Sequence, residues 1–295
     1  TGTEEYNNAL EKIWDNITNT KMHITGGLGA MHGIEGFGPE YELPNKEAYN
    51  ETCAAVGNVF FNYRMFLMTK EARFMDVGEI ALFNNALAGV NIEGNKFFYV
   101  NPLEADGITP FNSGKTGRSP WFGTACCPSN IARLIPQVSG MMYSYTEDEI
   151  YTTFYASSTT EIPLSSGKVS IQQITDYPYD EKIELRVAPE KEQKFTVKLR
   201  IPTWVGNQFV PGELYDYIND EKSNWEVRIN GEAISASLEN GFVSIERTWK
   251  TGDRVSLTLP MPVRFNSSIE KVEANKDCVA VTKGPLVYCA EGIDN

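Results

Sequence analysis

Residues Trp121–Ser144 read WFGTACCPSNIARLIPQVSGMMYS, and the character of the 295-residue chain changes across them. Upstream, apolar residues recur at helical spacing. EEYNNALEKIWDNITN (Glu4–Asn19) places Tyr6, Leu10, Ile13, Trp14 and Ile17 on one face. AAVGNVFFNYRMFLMTK (Ala54–Lys70) is apolar nearly all round, as in a helix buried among others. ARFMDVGEIALFNNALAG (Ala72–Gly89) continues the pattern to a glycine stop, and Ser129–Met142 reads as one more helix, bent at Pro136. Beyond Ser144 the period drops to that of strands. IYTTFYASSTTEIP, KVSIQQITDY, KIELRVA, FTVKLRIP, WEVRING, FVSIERTW, RVSLTLPMPV and CVAVTKGPLVYCA alternate or run apolar for short lengths, with turns such as Asn230-Gly231 and Gly252-Asp253 between them. Helices followed by strands, with no βαβ alternation, predict two domains side by side, the second an all-β sandwich or jelly roll.

The same stretch sets two cysteines next to each other. Adjacent Cα atoms lie about 3.8 Å apart, closer than the roughly 4.4–6.8 Å of an ordinary disulfide. Cys126 and Cys127 are therefore left with packing, metal binding or chemistry. Five cysteines at irregular spacing do not form a disulfide framework. Cys278 and Cys289, in apolar strand-like runs, read as buried hydrophobes or a possible pair.

Composition narrows the partners. A net charge of −13 and a sequence pI near 4.8 argue against nucleic acid or an anionic membrane surface. Hydrophobic residues at 41% suffice for a core, and no segment approaches the apolar length of a membrane helix, so a soluble protein acting on a neutral small molecule is expected. Aromatics at 12% would suit sugar stacking, though cores use them too.

Between the first two helices lies HITGGLGAMHGIEGFGPEYELPNKEAYNETC (His23–Cys53), which holds both histidines of the chain and five glutamates, Glu35, Glu40, Glu42, Glu47 and Glu51. A loop of this length in a compact domain is usually functional or disordered. Its apolar anchors, Ile24, Leu28, Phe37, Tyr41, Leu43 and Tyr49, predict order. Cys53, Cys126 and Cys127 offer three thiolates to a tetrahedral zinc, with Glu51 as fourth ligand. Residues two apart on a helix point about 200° apart, so Glu51 and Cys53 converge only at an irregular helix start, with Asn50 as cap. The plainer reading has Cys53 simply opening an apolar helix. Alternatively, a thiol at a helix N-terminus, followed by proline, reads as a nucleophile working with a carboxylic acid. A cysteine protease would pair it with a histidine, and neither His23 nor His32 sits in a protease signature.

Three runs carry a resemblance: ITGGLGAMHGIEGFGPEYELPNKEAYNETCAAVGN, FFYVNPLEADG and WFGTACCPSNIARLIPQVSGMMYS, with VTKGPLVYCAEGIDN at the end. Together they resemble the β-L-arabinofuranosidase families of glycoside hydrolases, once filed as a domain of unknown function. The resemblance implies an (α/α)₆ barrel followed by β-sandwich domains, with residues 1–145 the C-terminal portion of the catalytic barrel and 146–295 the sandwich. It implies a retaining mechanism in which a zinc-bound cysteine replaces the usual carboxylate nucleophile. The ETC motif then supplies Glu51 and Cys53 as Zn²⁺ ligands and the CC pair supplies Cys126 and Cys127. Cys126 matches the nucleophile, Glu35 in IEGFG the general acid/base, and Tyr99 in FFYVNP a tyrosine beside the reacting centre. The family's barrel begins upstream of the point matched by Thr1. An upstream part of the same protein is thus an expected partner, alongside a carbohydrate substrate from plant glycans. Two rivals share the same residues: a noncatalytic carbohydrate-binding protein that keeps the fold, and a purely structural Glu–Cys₃ site.

Overall fold

A computed structural model describes residues 3–219 and 223–294. The helical half comprises α1 (Glu4–Thr20), α2 (Thr52–Thr69), α3 (Ala72–Ala81) and α4 (Cys126–Val138). α1 packs Trp14 edge-on to Phe74 of α3, and Arg73 lies over the Trp14 ring while pairing with Glu11 and Glu71. α2 buries Val56, Val59, Met65 and Phe66, and it buries two asparagines among them. Trp14 Nε1 donates to Asn62 Oδ1 (2.7 Å), Asn62 Nδ2 donates to Asn58 Oδ1 (2.7 Å), and Asn58 Nδ2 donates to the Gly26 carbonyl (2.9 Å). This ladder pins the long loop to the helices with every buried amide donor used.

Two expectations about the helices are corrected. Ala72–Gly89 is not one helix. It ends at Ala81 in a π turn (Leu82–Ala86) and a 3₁₀ turn (Leu87–Gly89). The wider turn lets neighbouring asparagines serve different partners: Asn84 Nδ2 donates to the Pro285 carbonyl, and Asn85 Nδ2 donates to Asn50 Oδ1. The last helix starts at Cys126 rather than Ser129 and tightens to a 3₁₀ turn over Ser139–Met141, just after Pro136. The apolar faces are also less covered than their spacing suggests. Tyr6 and Ile13 of α1, Leu67 and Met68 of α2 and Ile135 of α4 are exposed.

The β half forms three sheets. The first runs Tyr143–Tyr145, Glu149–Thr152, Gln193–Arg200, Phe242–Trp249, Leu238–Glu239, with a parallel pair where Glu149–Thr152 meets Gln193–Arg200. The second runs Ser158–Leu164, Gly167–Thr175, Lys182–Pro189, Asp253–Thr258, Glu226–Ile229, Glu232–Ala233. A smaller antiparallel sheet runs Leu286–Tyr288, Ala280–Lys283, Val263–Ser268, Tyr215–Tyr217. Ile183, Leu185 and Val187 point inward on alternate positions, as do Phe195, Val197 and Leu199, and all belong to one continuous core. Asn230 (φ 52°) and Gly231 (φ 92°) make the predicted tight hairpin.

The halves are joined by a buried ion cluster. Arg200 pairs with Asp76 and Glu79 of α3, and its Nε donates to the Thr153 carbonyl (2.6 Å). Thr203 Oγ1 donates to Asp76 Oδ2 (2.6 Å) and Trp204 Nε1 to Glu79 Oε2 (3.3 Å). Each buried carboxylate thus has a cation and a neutral donor. Among the described residues, no helix is long and apolar enough to cross a membrane. Cys278 and Cys289 are neither buried nor paired: both are exposed free thiols, because they flank the small outer sheet rather than enter the core.

Candidate active site and metal centre

The site is assembled by the backbone around Asn50. The sequence predicts Asn50 as the cap of α2, but Glu51 takes that place (φ −66°, ψ 138°) and Asn50 turns instead into the left-handed region (φ 41°). Its buried side chain is committed elsewhere: Nδ2 donates to the Asn101 carbonyl (2.9 Å) and Oδ1 accepts from Asn85 (3.2 Å). Its backbone N–H donates to the Gly29 carbonyl (2.6 Å). Gly27 has to be glycine here, since a Cβ would lie 1.9 Å from Asn50 Oδ1. The kink supplies the irregular helix start that lets Glu51 and Cys53, two residues apart, turn toward one point. Glu51 bridges to Val100, and the Thr52 N–H donates to the Tyr99 carbonyl (3.0 Å), which lays the Tyr99 segment alongside.

α4 brings the cysteine pair to the same point. Cys53 Sγ lies 3.4 Å from Cys127 Sγ, and Cys126 Sγ lies 3.9 Å from Cys127 Sγ. Glu51 Oε1 is 3.6 Å from Cys126 Sγ and 3.7 Å from Cys127 Sγ. All four donor atoms fall within 4.8 Å of one another, so this Glu–Cys₃ cluster could hold a metal ion. Burial separates the members: Cys127 is fully buried, while Glu51, Cys53 and Cys126 are half-buried. Like charges this close oppose one another's ionisation. Cys53 is held below the ordinary thiol value, first by its hydrogen-bond contact with Cys127, whereas burial pushes Cys126 up. Cys127 is pushed far up, first by its bond to Cys53 and then by burial. Close packing thus favours the protonated form of Cys126 and Cys127, and a cation bound here would reverse that preference.

Tyr99 and Glu35 lie beside the cluster. The Tyr99 hydroxyl is 3.4 Å from Cys126 Sγ and donates toward Glu35 Oε1 (3.5 Å). Burial pushes the Tyr99 phenol well above its ordinary value, so it remains a proton donor at neutral pH. Glu35 rides a tight turn closed by the Met31–Gly36 bridge, at φ 49°, with its side chain exposed. The loop is ordered as predicted: Ile24, Leu28, Leu43 and Tyr49 are buried, although Phe37 is exposed. Of the two histidines, His32 stands edge-on to Tyr49 (5.0 Å) and His23 is buried beneath the loop.

Residues to which the sequence reading gave no chemical role complete the site. Asn112 Oδ1 accepts from the Tyr99 N–H (2.7 Å) and fixes that segment. Asn130 Nδ2 donates to Cys53 Sγ (3.0 Å). Tyr49 packs on Tyr99, with ring centroids 6.1 Å apart. Asn130 had a signal in the sequence, because it lies four residues after Cys126 on the same helical face. Asn112 had none, since its partners are set by tertiary structure, and Asn50 had only a capping signal that the structure overrides.

The comparisons with known proteins agree from end to end. Residues 1–140 match the GH127 catalytic domain of β-L-arabinofuranosidases, 149–261 match their middle domain, and 263–295 match the C-terminal domain of glycoside hydrolase family 127. A non-reducing end β-L-arabinofuranosidase of Bifidobacterium longum subsp. longum is 34% identical over 97% of this chain and 42% of its own length. A solved GH127 β-arabinofuranosidase superposes with a TM-score of 0.95 at 44% identity, over 100% of this chain and 45% of its own. A GH127 β-L-arabinofuranosidase from Geobacillus stearothermophilus T6 gives 0.89 at 37% identity, again over 100% of this chain and 45% of its own. The chain therefore spans less than half the length of these relatives. Within that span, with the catalytic, middle and C-terminal domain matches in sequence order, the chain belongs to glycoside hydrolase family 127.

Proposed function

We propose that this chain supplies the nucleophile, the general acid/base and the metal ligands of a retaining glycosidase that releases β-L-arabinofuranose or a related sugar from plant glycans. In this reading residues 1–145 form the C-terminal portion of an (α/α)₆ barrel and 146–295 its β-sandwich, while an upstream part of the same protein closes the barrel. The exposed Tyr6, Ile13 and Ile135 and the greater length of the relatives support that last point.

The metal is zinc. With Zn–S near 2.3 Å and Zn–O near 2.0 Å, a tetrahedral ion separates its ligand atoms by about 3.5–3.8 Å. Four of the six separations run from 3.4 to 3.9 Å and the other two stay within 4.8 Å, so the donor set suits such an ion after a small adjustment. Bound there, the ion would hold the cysteines as thiolates at neutral pH, which removes the need for a histidine base. Cys126, the half-buried member of its pair, attacks the anomeric carbon through Sγ. As that C–S bond forms and the glycosidic C–O bond breaks, protonated Glu35 gives its proton to the leaving oxygen. Water then attacks the same carbon, Glu35 takes its proton, and Cys126 leaves as thiolate. Retaining enzymes space their two groups about 5–5.5 Å apart, which is compatible with one Tyr99 hydroxyl lying within 3.5 Å of both.

The observation that carries this reading is the meeting of Glu35, Tyr99 and Cys126 at the edge of the Glu–Cys₃ cluster. The test is hydrolysis of a p-nitrophenyl β-L-arabinofuranoside by the full natural chain, with the first-formed product anomer read by NMR and zinc measured in the protein. Retention, one zinc per chain, and loss of about 10³-fold or more in rate for Cys126→Ala support it. Inversion, or a Cys126→Ala enzyme of normal rate, refutes it. Binding of the arabinoside without turnover would favour the noncatalytic carbohydrate-binding reading.

A further inference from the structure

Three thiols meet at the cluster, yet the proposed chemistry uses one. Burial takes Cys127 out of competition but does not separate Cys53 from Cys126, since both are half-buried. Hydrogen bonding does separate them. Asn130 lies four residues after Cys126 and three after Cys127, so α4 presents all three side chains on adjoining faces. Its Nδ2 donates to Cys53 Sγ at 3.0 Å, a shorter contact than any between the four donors themselves. Cys126 has no such N–H donor. Its neighbour is the Tyr99 hydroxyl, a longer contact at 3.4 Å that Cys126 shares with Glu35 Oε1 at 3.5 Å.

We infer that Asn130 is a positioning residue that keeps Cys53 a ligand and leaves Cys126 the reactive thiolate. This inference rests on the metal-site reading above. Three thiolates and a carboxylate around a dication leave surplus negative charge on sulfur. An uncharged N–H donor draws that charge from the sulfur it touches and fixes its direction, as outer partners of metal ligands commonly do. The thiolate that lacks the donor keeps the more available electron pair. Cys53 stays attached while Cys126 reacts.

The test loads the full natural chain with Co²⁺ in place of zinc and compares wild type with Asn130→Asp, which keeps the shape without the donor, and Asn130→Ala, which adds no charge. In both variants the sulfur-to-cobalt charge-transfer band moves to longer wavelength and cobalt is lost to a chelator roughly tenfold faster or more. Iodoacetamide then labels Cys53 as well as Cys126. An Asn130→Asp protein that does not fold leaves the decision to Asn130→Ala. Unchanged band, loss rate and labelling pattern in a cobalt-loaded variant overturn the role of Asn130 alone. A wild-type protein that takes up no cobalt overturns the metal site itself, and this inference with it.

Discussion

Two polar clusters of this molecule, one buried and one mostly half-buried, differ in whether they contain their own positive charge. Where the helical half meets the sheets, Arg200 is enclosed by Asp76 and Glu79, with Thr203 and Trp204 taking up the remaining carboxylate oxygens. That cluster contains its own cation. The Glu51–Cys53–Cys126–Cys127 cluster gathers four acidic side chains and has none. The first arrangement is closed, so its energetic role is to join two halves of the fold. The second has no cation of its own among the described residues and could hold a metal ion. Arginine cannot leave its site, whereas in the proposed function Cys126 of the second cluster reacts. The difference separates a structural cluster from a site able to do chemistry.

The largest effect that would break this comparison is at Arg200. Replacing it with methionine leaves two buried carboxylates without a counter-charge, which costs about 3–5 kcal/mol. Urea unfolding of Arg200→Met should show that loss, and zinc per folded chain should be unchanged. Restoring neutrality with Asp76→Asn and Glu79→Gln in the same protein should recover part of the loss. A loss below about 1 kcal/mol would mean that the cluster does not hold the halves together.

His23 sharpens the comparison by showing a third way to bury a titratable group. It has no charged partner, its Nε2 lacks a hydrogen bond, and burial lowers its pKa from 6.5 to about 4. The imidazole is therefore neutral in the folded protein. Unfolded, it binds a proton near pH 6.5 and below. Between about pH 6.5 and 4 the unfolded chain holds more protons, so stability contributed by the neutral form falls as the pH drops. The difference approaches about 3 kcal/mol at the acid end. Measured as wild type against His23→Gln across this range, the stability difference should change with pH by that order. A pH-independent difference would mean that His23 titrates normally.

Much of this architecture is legible in the sequence. Alternation in Lys182–Pro189 and Gln193–Arg200 gives strands and their inward faces directly, and the ETC and ACCPSN motifs identify every member of the Glu–Cys₃ cluster. What is hidden depends on partners distant along the chain. Arg200 reads as the last polar residue of a strand, and only its contact with α3 makes it the most enclosed cation of the fold. Asn84 and Asn85 read as positions in one continuous helix, and the π turn makes sense only with Pro285 and Asn50 in view. Asn50 carries a good capping signature that tertiary structure overrides, because its amide is worth more holding Asn101 and Asn85 together. In each case a local rule gives way to a contact that local pattern does not encode.

The smallest expected effect concerns the two thiols that belong to neither cluster. Cys278 and Cys289 are exposed and unpaired, so neither burial nor an ion gives them a structural task. Cys278→Ser and Cys289→Ser should each change stability by less than about 0.5 kcal/mol. Under native, metal-loaded conditions a thiol reagent should label these two first, ahead of Cys53 and Cys127, which ligation and burial protect. The contrast is chemical as much as thermodynamic. In the proposed function the same side chain serves three ways: Cys53 and Cys127 hold an ion, Cys126 reacts with the sugar, and Cys278 and Cys289 stay free thiols. A purified protein two hydrogens lighter than the reduced chain, with Cys278 and Cys289 in one disulfide-linked fragment, would assign them a pairing that their present geometry does not. Removing either would then cost the stability of a closed loop, a loss well above 0.5 kcal/mol.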